Sequence, residues 1–543
     1  MKNNKGSITK WLFDIPLKYK LLLVLLSLTS MVTAAFSVSF AVSCKAVVDA
    51  AVSGNEDAFI SSCVLAVLVV VGLLSFNALS RLLKGASEAS LEQILRLRFL
   101  KRCLKKKYKH LSAYHSGELI NRMTADISVV TESLTGICPD VLYYLTQLIY
   151  AGVLLFIYIR EFMLLIVPVG IVIFLAAAFL RRILKANHTA VRSADGDVRS
   201  YAQEIFSSFG VLKAFGAYKK TGENAKKLMN SHKKAKIKQT LLSSLTGVCF
   251  SLLMWGGYVA AFVYCGLGIL NATSTYGTLV AVQQLINKVQ TPFSGLSGVI
   301  TRIAALEASA QRIMEIEALE SDTLANEPGG SIDFARLEVK DLSFSYEDGK
   351  KVLSSFDMNV EKGDFACIVG PSGIGKSTVL KLILGLYDGY GGKIRVSDGS
   401  GNEIKQKCGV FAYVPQGNYL FTGTVKENIA MFCDDYDDES IINASKIACA
   451  HEFICELPNG YDTMIAERGI GLSEGQIQRI AVARAVLTGY PVLLLDESTS
   501  ALDESIEAKM LENLRSIEGI TVVTITHRRA ALDVCNKIFR IQP

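Results

Sequence analysis

The sequence lacks the cysteine patterns of metal sites and disulfide frameworks. Its 12 cysteines include no C-x-x-C pair and form no cluster with its 6 histidines. Reduced thiols in a cytosolic setting are therefore expected. A small-residue cleavage site is also missing after the basic N-terminus, so the apolar run after Lys20 predicts a first membrane span and not a removed leader.

Apolar residues are concentrated in the first 300 positions, although the whole chain carries 57 Lys+Arg and 51 Asp+Glu among 543 residues. Six stretches are long enough to cross a bilayer as helices, which takes about 20 residues each. They lie near residues 20–43, 58–83, 134–159, 162–184, 243–268 and 277–300. The pattern predicts an all-α, six-helix membrane domain over residues 1–318.

The loops between these stretches differ in charge. The outer segment 48–57 holds acids and no base, whereas the inner segments 81–122 and 181–238 are rich in Lys and Arg. This asymmetry predicts a multi-pass protein of the cell membrane, with a bacterial cytoplasmic membrane favoured and both termini cytoplasmic. It also accounts for the net charge of +6, so nucleic acid is not an expected partner.

The sixth stretch carries a polar stripe at helical spacing. Its members are Gln283, Gln284, Asn287, Lys288 and Thr291, of which the first four are the candidate pathway residues. A charge near the bilayer midplane costs several kcal/mol unless it faces water or a partner. Packing against an acid elsewhere and a water-filled substrate pathway both remain open; the other spans offer no evident buried acid, which favours the pathway.

A linker at 319–331 leads into a soluble domain predicted over 332–543. There a buried strand is followed by G-x-x-x-x-G-K-S and then by a helix, the context that identifies a phosphate loop. Backbone N–H groups and the helix N-terminus bind phosphate in such loops. Lys376 is expected to reach the β- and γ-phosphates of ATP, and the Ser377 hydroxyl to bind Mg²⁺. The loop residues are Gly370, Pro371, Ser372, Gly373, Ile374, Gly375, Lys376, Ser377 and Thr378.

Two adjacent acids, Asp496 and Glu497, follow a second apolar run. The carboxyl end of a parallel strand is where ligands bind in such sheets. Asp496 is then placed to hold the metal through water, and Glu497 to orient and deprotonate the attacking water. Acids in this position are also typical of a helix N-terminus, but the phosphate loop favours the catalytic interpretation.

Between these sites lies the segment 472–476, Leu-Ser-Glu-Gly-Gln, followed by a predicted helix. With these motifs in order, nearly the whole chain resembles the ATP-binding-cassette (ABC) transporters, specifically the exporter-like (type IV) half-transporters. The resemblance implies a six-helix membrane domain fused to an α/β P-loop nucleotide-binding domain.

The resemblance also implies roles for individual residues. Tyr346 corresponds to the aromatic residue that stacks on adenine, Gln416 to the glutamine that senses Mg²⁺, and His527 to the switch histidine on the γ-phosphate. The remaining correspondences are the signature residues Ser473, Gly475 and Gln476, which contact the nucleotide of the opposite subunit, Asp503 in the loop between the two sites, and the coupling motif 467–469. One position departs from the family, because Glu474 stands where a glycine is usual. A weaker site in a heterodimer is one consequence left open.

We therefore expect an ATPase that converts ATP and water to ADP and phosphate and drives transport. The inner tips at 117–122 and 212–216 resemble the family's coupling regions. The expected cargo is a small amphipathic, lipid-like or peptide-like molecule, exported by a dimer, with a homodimer favoured over a heterodimer. The alternatives are an importer on the same fold, for example for siderophores, and an ATP-gated channel or regulator.

Overall fold

The computed structural model describes residues 8–542 apart from positions 9, 13, 15, 162–186, 188, 323–332, 347–348, 350, 405–408, 418–419, 467–468 and 470. The chain forms two compact units. The first comprises Met1–Phe99 and Ile120–Met314, and the second comprises Leu100–Leu119 and Glu315–Pro543.

Helices dominate the chain up to residue 317. In chain order they are α1 (Leu17–Ser53), α2 (Glu56–Leu104), α3 (Tyr108–Leu111), α4 (Ser116–Asn121), α5 (Ile127–Tyr158), α6 (Phe209–Ala214), α7 (Tyr218–Leu270) and α8 (Tyr276–Glu317). Several far exceed the 20 residues that a bilayer requires. A helix is the form that satisfies backbone hydrogen bonds within one segment, which a hydrocarbon environment demands.

Four helical runs are long and apolar enough to span a membrane, namely Leu17–Ser53, Glu56–Leu104, Ser116–Tyr158 and Tyr218–Leu270. The stretch 277–300 lies in α8, which is long but is not among those four runs. The predicted span 162–184 lies outside the described residues. A helical membrane domain is thus confirmed, while the number of six spans stays a prediction.

Small and apolar side chains pack the helices of the first unit together. Val38 and Ala41 of α1, Ala151 of α5 and Leu285 of α8 lie in one buried cluster. Small residues allow such close approach between membrane helices. Gly295 of α8 allows an aromatic ring to approach the helix closely, since a Cβ there would lie 2.1 Å from Tyr144 Cζ.

Ion pairs join α5 to α8 as well. Asp140 accepts a hydrogen bond from Arg302 at 2.6 Å. The buried Asp126 carboxylate, which directly precedes α5, accepts from Ser309 Oγ at 2.8 Å and from Arg312 Nε at 2.8 Å. A buried charge needs such partners, so these contacts fix the register between the two helices.

The second unit contains an α/β domain. Its strands are β1 (Phe334–Ser345), β2 (Lys351–Glu361), β3 (Phe365–Val369), β4 (Gly391–Asp398), β5 (Phe411–Val414), β6 (Gly423–Thr424), β7 (Met464–Ile465), β8 (Val492–Asp496), β9 (Thr521–Ile525) and β10 (Lys537–Arg540). Its helices are α9 (Lys376–Ile383), α10 (Val425–Ala430), α11 (Asp438–Ile447), α12 (His451–Glu456), α13 (Glu474–Leu487), α14 (Glu504–Arg515) and α15 (Arg529–Val534).

A five-stranded sheet in the order β10-β3-β9-β8-β5 forms the centre of this domain, and all its pairings are parallel. Every residue of β8 is buried, as the apolar run at 491–495 predicts for a parallel strand covered on both faces. A second sheet, β2-β1-β4, is antiparallel. The α/β class predicted from the phosphate-loop pattern is confirmed.

The second unit also includes a tip formed by residues 100–119. Lys106 pairs with Ser321 in an isolated β-bridge. The Lys107 ammonium lies 2.7 Å from an Asp388 oxygen and 2.8 Å from a Glu320 oxygen, and these carboxylates raise the pKa of Lys107. The boundaries 1–318, 319–331 and 332–543 do not anticipate this association of the tip with the second unit, and they stay predictions.

The central sheet provides a test of this packing. Leu494 is fully buried in β8, whereas Ile538 in β10 of the same sheet is 49% exposed. Leu494→Ala should cost about 2–5 kcal/mol of stability, because it removes buried methyl groups and leaves a cavity. Circular dichroism of the purified protein should show a lower melting temperature for Leu494→Ala and little change for the control Ile538→Ala. Equal effects of the two substitutions would contradict the assigned burial.

Candidate functional site

The phosphate loop extends from the end of β3 into the first turn of α9. Gly375 adopts φ +104°, and a Cβ at this position would lie 2.6 Å from Val352 Cγ1. Only glycine meets both requirements without strain. The loop then leads directly into Lys376 and Ser377, the first two residues of α9, so both side chains start from a helix N-terminus.

The Lys376 side chain is buried and turned back over its own loop. Its ammonium donates to the carbonyl oxygens of Gly370 at 2.9 Å and Pro371 at 3.1 Å. It also lies 2.8 Å from His527 Nε2. The predicted phosphate-binding lysine and the predicted switch histidine are therefore in direct contact, although 151 positions separate them in the sequence.

Asp496 lies at the end of β8 and is almost completely buried. Its Oδ1 accepts from the Ser377 hydroxyl at 2.7 Å, and its Oδ2 accepts from the Tyr413 hydroxyl at 3.1 Å. Burial raises the pKa of Asp496 because it disfavours the charged carboxylate, while the two hydroxyl donors act in the opposite direction. Hard oxygen ligands of this kind suit Mg²⁺.

Glu497 occupies an unusual backbone conformation, with φ +50°. Left-handed backbone is uncommon for a residue with a side chain, and such strain is typical of functional sites. Its carboxylate accepts a hydrogen bond from Gln416 Nε2 at 2.8 Å and lies 3.9 Å from His527 Nε2. The structure thus gathers the predicted base, the glutamine and the histidine around one point.

Tyr346 is the predicted adenine-stacking residue. Its hydroxyl is hydrogen-bonded to Thr378 Oγ1 at 3.1 Å. The rings of Phe344 and Tyr387 stand edge-on to it, with centroids 5.0 and 5.5 Å away. Tyr387 in turn contacts Tyr108 of the tip at 5.7 Å, so an aromatic series leads from the tip to the phosphate loop.

The signature residues form a separate local structure at the start of α13. Ser473 is the N-cap, and it exchanges hydrogen bonds with Gln476 in a capping box. Glu474 is exposed in the first turn, where a negative charge is favourable. A Cβ on Gly475 would lie 2.9 Å from the Ala501 carbonyl oxygen.

Asp503 precedes α14 as its N-cap residue. The coupling motif at 467–469 falls largely outside the described residues. Tyr413 was not among the residues expected in the site. A tyrosine in β5 looks like an ordinary strand residue in the sequence, and its role depends on the pairing of β5 with β8.

Two family models match this chain. A family model described as the ABC transporter transmembrane region matches residues 22–293, and a model described as ABC transporter matches residues 353–500.

Individual relatives share about the same level of identity. The chain is 30% identical over 493 residues to ABC transporter B family member 1 of Dictyostelium discoideum, covering 88% of this chain and 53% of that protein. It is 29% identical over 463 residues to the ATP-dependent lipid A-core flippase of Syntrophus aciditrophicus, covering 82% and 74%. It is 30% identical over 440 residues to the uncharacterized ABC transporter ATP-binding protein YfiC of Bacillus subtilis, covering 78% and 71%.

Among solved structures, a bacterial Atm1-family ABC exporter with ATP bound has the same fold. The TM-score is 0.78, with 22% sequence identity and coverage of 96% of this chain and 95% of that one. The chain therefore spans almost the full length of this exporter, but only about half of the Dictyostelium relative.

The hydroxyl of Tyr413 gives a pH-dependent test of the site. Tyr413→Phe removes a hydrogen bond that favours the charged form of Asp496, so the pKa of Asp496 should rise further. The carboxylate needed for a divalent cation then forms only at higher pH. Titration of Mg²⁺-dependent ATP binding should show the acid midpoint moving upward. Tyr436→Phe, on an exposed tyrosine, serves as the control; an unchanged or lower midpoint in Tyr413→Phe would refute the assignment.

Proposed function

Because this chain belongs to the ABC transporter family, as a type IV half-transporter of the exporter type, we propose that it hydrolyses ATP to export an amphipathic cargo by alternating access. The observation that carries this proposal is the convergence of Lys376, Glu497 and His527 in one chain. Lys376 begins α9, Glu497 directly follows β8, and His527 lies two positions beyond β9. His527 Nε2 lies 2.8 Å from Lys376 Nζ and 3.9 Å from a Glu497 carboxylate oxygen.

In the proposed reaction, Glu497 accepts a proton from water as that water attacks the γ-phosphate of ATP. Gln416, through its hydrogen bond to Glu497, orients the carboxylate. Lys376 and His527 donate hydrogen bonds to the γ-phosphate oxygens, which stabilises the charge that develops on them. The water oxygen bonds to the γ-phosphorus while the bond from this phosphorus to the oxygen that bridges to the β-phosphate breaks. The products are ADP and inorganic phosphate.

Magnesium fits the donor set of this site. Ser377 and Asp496 are in direct contact, and Gln416 lies beside the adjoining Glu497. We assign these three side chains, Ser377, Gln416 and Asp496, as the groups that would hold the ion. Bound Mg²⁺ supplies charge neutralisation at the β- and γ-phosphates.

A half-transporter acts together with a second half-transporter, and we favour two copies of this chain. The contacts of Ser473, Gly475 and Gln476 described above are with one another and with the loop at Ala501. In this assembly the signature residues, together with Asp503 in the adjoining loop, would contact the nucleotide of the opposite subunit. The second inner tip, around α6, exposes large apolar side chains suited to docking on an ATPase domain, namely Phe206, Phe209, Val211 and Phe215.

The cargo pathway is proposed to include the polar stripe of α8. Lys288 is partly buried, and its ammonium donates to Ser37 Oγ of α1 at 2.7 Å. Within the described residues this contact is to a neutral hydroxyl and not to a carboxylate, so the positive charge is not neutralised there. Gln283 and Gln284 are also partly buried, and Asn287 is exposed.

A cation that has no carboxylate partner among the described residues favours an anionic or zwitterionic cargo with an apolar body. Relatives named as lipid A-core flippases support a lipid-like molecule. A peptide that combines an anionic or zwitterionic group with an apolar body meets the same requirement. The importer alternative lacks support from the comparisons. We place the protein in the bacterial cytoplasmic membrane with both termini in the cytoplasm.

The substitution Glu497→Gln tests the pump mechanism. It keeps the shape of the side chain and removes the base, so ATP hydrolysis should fall by roughly 10²–10⁴-fold. Transport into inverted vesicles should fall with it, while ATP still binds. Glu512→Gln, on an exposed glutamate of α14, should behave as wild type. If flux continued while hydrolysis stopped, the protein would be an ATP-gated channel and the pump mechanism would be wrong.

The substitution Lys288→Ala tests the cargo. In reconstituted lipid, anionic amphiphiles should raise the ATPase rate of the wild type, and the ratio of stimulated to unstimulated rate should fall in Lys288→Ala because the counter-charge is lost. Lys288→Arg keeps the charge and should retain stimulation. Lys238→Ala changes an exposed lysine of α7 and is the matched control. The same stimulation ratio in Lys288→Ala and wild type would remove Lys288 from the pathway.

A further inference from the structure

The residue after the switch histidine makes an unusual set of contacts. Arg528 sends its guanidinium to the loop 499–503, which follows Glu497. Its Nη1 donates to the Leu502 carbonyl oxygen at 2.5 Å, and its Nη2 donates to the Ser500 carbonyl oxygen. Two main-chain groups of the loop are therefore held by one side chain that neighbours His527 in sequence.

A buried carboxylate holds the same guanidinium in place. Glu507 of α14 is fully buried, and its Oε2 accepts from Arg528 Nη1 at 3.0 Å. Its other oxygen accepts from the Thr499 hydroxyl at 2.6 Å. A charge buried to this extent is stable only with its partners, so the ion pair and the loop define one another's position.

The signature helix holds the loop from its other side. Gln478 of α13 is almost completely buried. Its Oε1 accepts from the Ala501 backbone N–H at 3.1 Å, and its Nε2 donates to Ser500 Oγ at 3.4 Å. Gly475, one turn earlier in the signature, leaves the space that the Ala501 carbonyl oxygen occupies.

We propose that Arg528 is a positioning residue that links the signature helix, through the loop 499–503, to His527. The link runs from Gln478 to Ser500 and Ala501, then from Ser500 and Leu502 to Arg528. This inference rests on the proposed function, in which the signature serves the ATP of the opposite subunit and His527 serves the chain's own ATP. When the nucleotide at one site displaces α13, the loop and Arg528 transmit this displacement to His527 at the other nucleotide site.

The geometry requires arginine at this position. Its planar fork reaches two carbonyls and a carboxylate together, whereas the lysine ammonium is a point charge on a flexible stem. Arg528→Lys keeps the counter-charge that Glu507 needs and loses the double main-chain contact. The substitution therefore separates positioning of the loop from stability of the buried pair.

The test compares ATP hydrolysis by full-length wild type and Arg528→Lys in lipid nanodiscs. We expect kcat to fall by about tenfold or more, the KM for ATP to stay within about twofold, and the Hill coefficient for ATP to move toward one. Arg540→Lys, on an exposed arginine of β10, is the matched control and should match wild type. Unchanged kcat and Hill coefficient in Arg528→Lys would overturn the proposal. It would also be overturned if the fall in kcat/KM came with a lower melting temperature, because the loss of activity would then follow from destabilisation.

A double-substitution cycle adds a second criterion. Gln478→Met removes the hydrogen bonds to the loop at similar volume. If both residues act through one loop, the losses in kcat should be strongly non-additive, and additive losses would overturn the link. A wild-type protein without ATPase activity would contradict both this inference and the proposed function. An active wild type that loses activity in Glu497→Gln but not in Arg528→Lys would sink this inference alone.

Discussion

The parallel pairing of β3, β9 and β8 is the constraint on which the geometry of the candidate site depends. Adjacent parallel strands end at the same edge of a sheet, and each of these three leads into a different functional group. The phosphate loop follows β3, His527 follows β9, and Asp496 and Glu497 stand at the end of β8. Ladder pairs place Ile525 beside both Ile368 and Asp496, so the register of the sheet fixes which polar atoms meet.

The sequence suggests these groups as candidates where their signal is local. About a dozen consecutive positions contain a strand, a glycine loop and Gly375-Lys376-Ser377. The apolar run before Asp496 is equally compact. Tyr413 and Arg528 carry no such signal. Their roles come from hydrogen bonds to groups that lie 83 and 21–28 positions away in the sequence. A single sequence does not reveal that these groups are close in space.

The membrane half shows the same division between local and tertiary information. Length and hydropathy predicted the apolar helices, including four that are sufficient to cross a bilayer. The polar content of α8 lowers that signal, although Tyr276–Glu317 is one continuous helix. The contact between Lys288 and Ser37 joins helices about 250 positions apart, and the spacing along α8 alone could not identify the hydroxyl.

The tip at 100–119 belongs to the same compact unit as the ATPase portion, so a chimera of two related chains should keep them together. Its backbone bridges to Ser321, its Lys107 pairs with Asp388, and its Tyr108 ring meets Tyr387. A chimera cut at the linker would transfer the ATPase portion without the tip that it contacts. The three contacts would then form between residues of two different chains. A recombinant that carries residues 100–119 along with 315–543 would keep them. The compact unit that must be moved is thus discontinuous in the sequence.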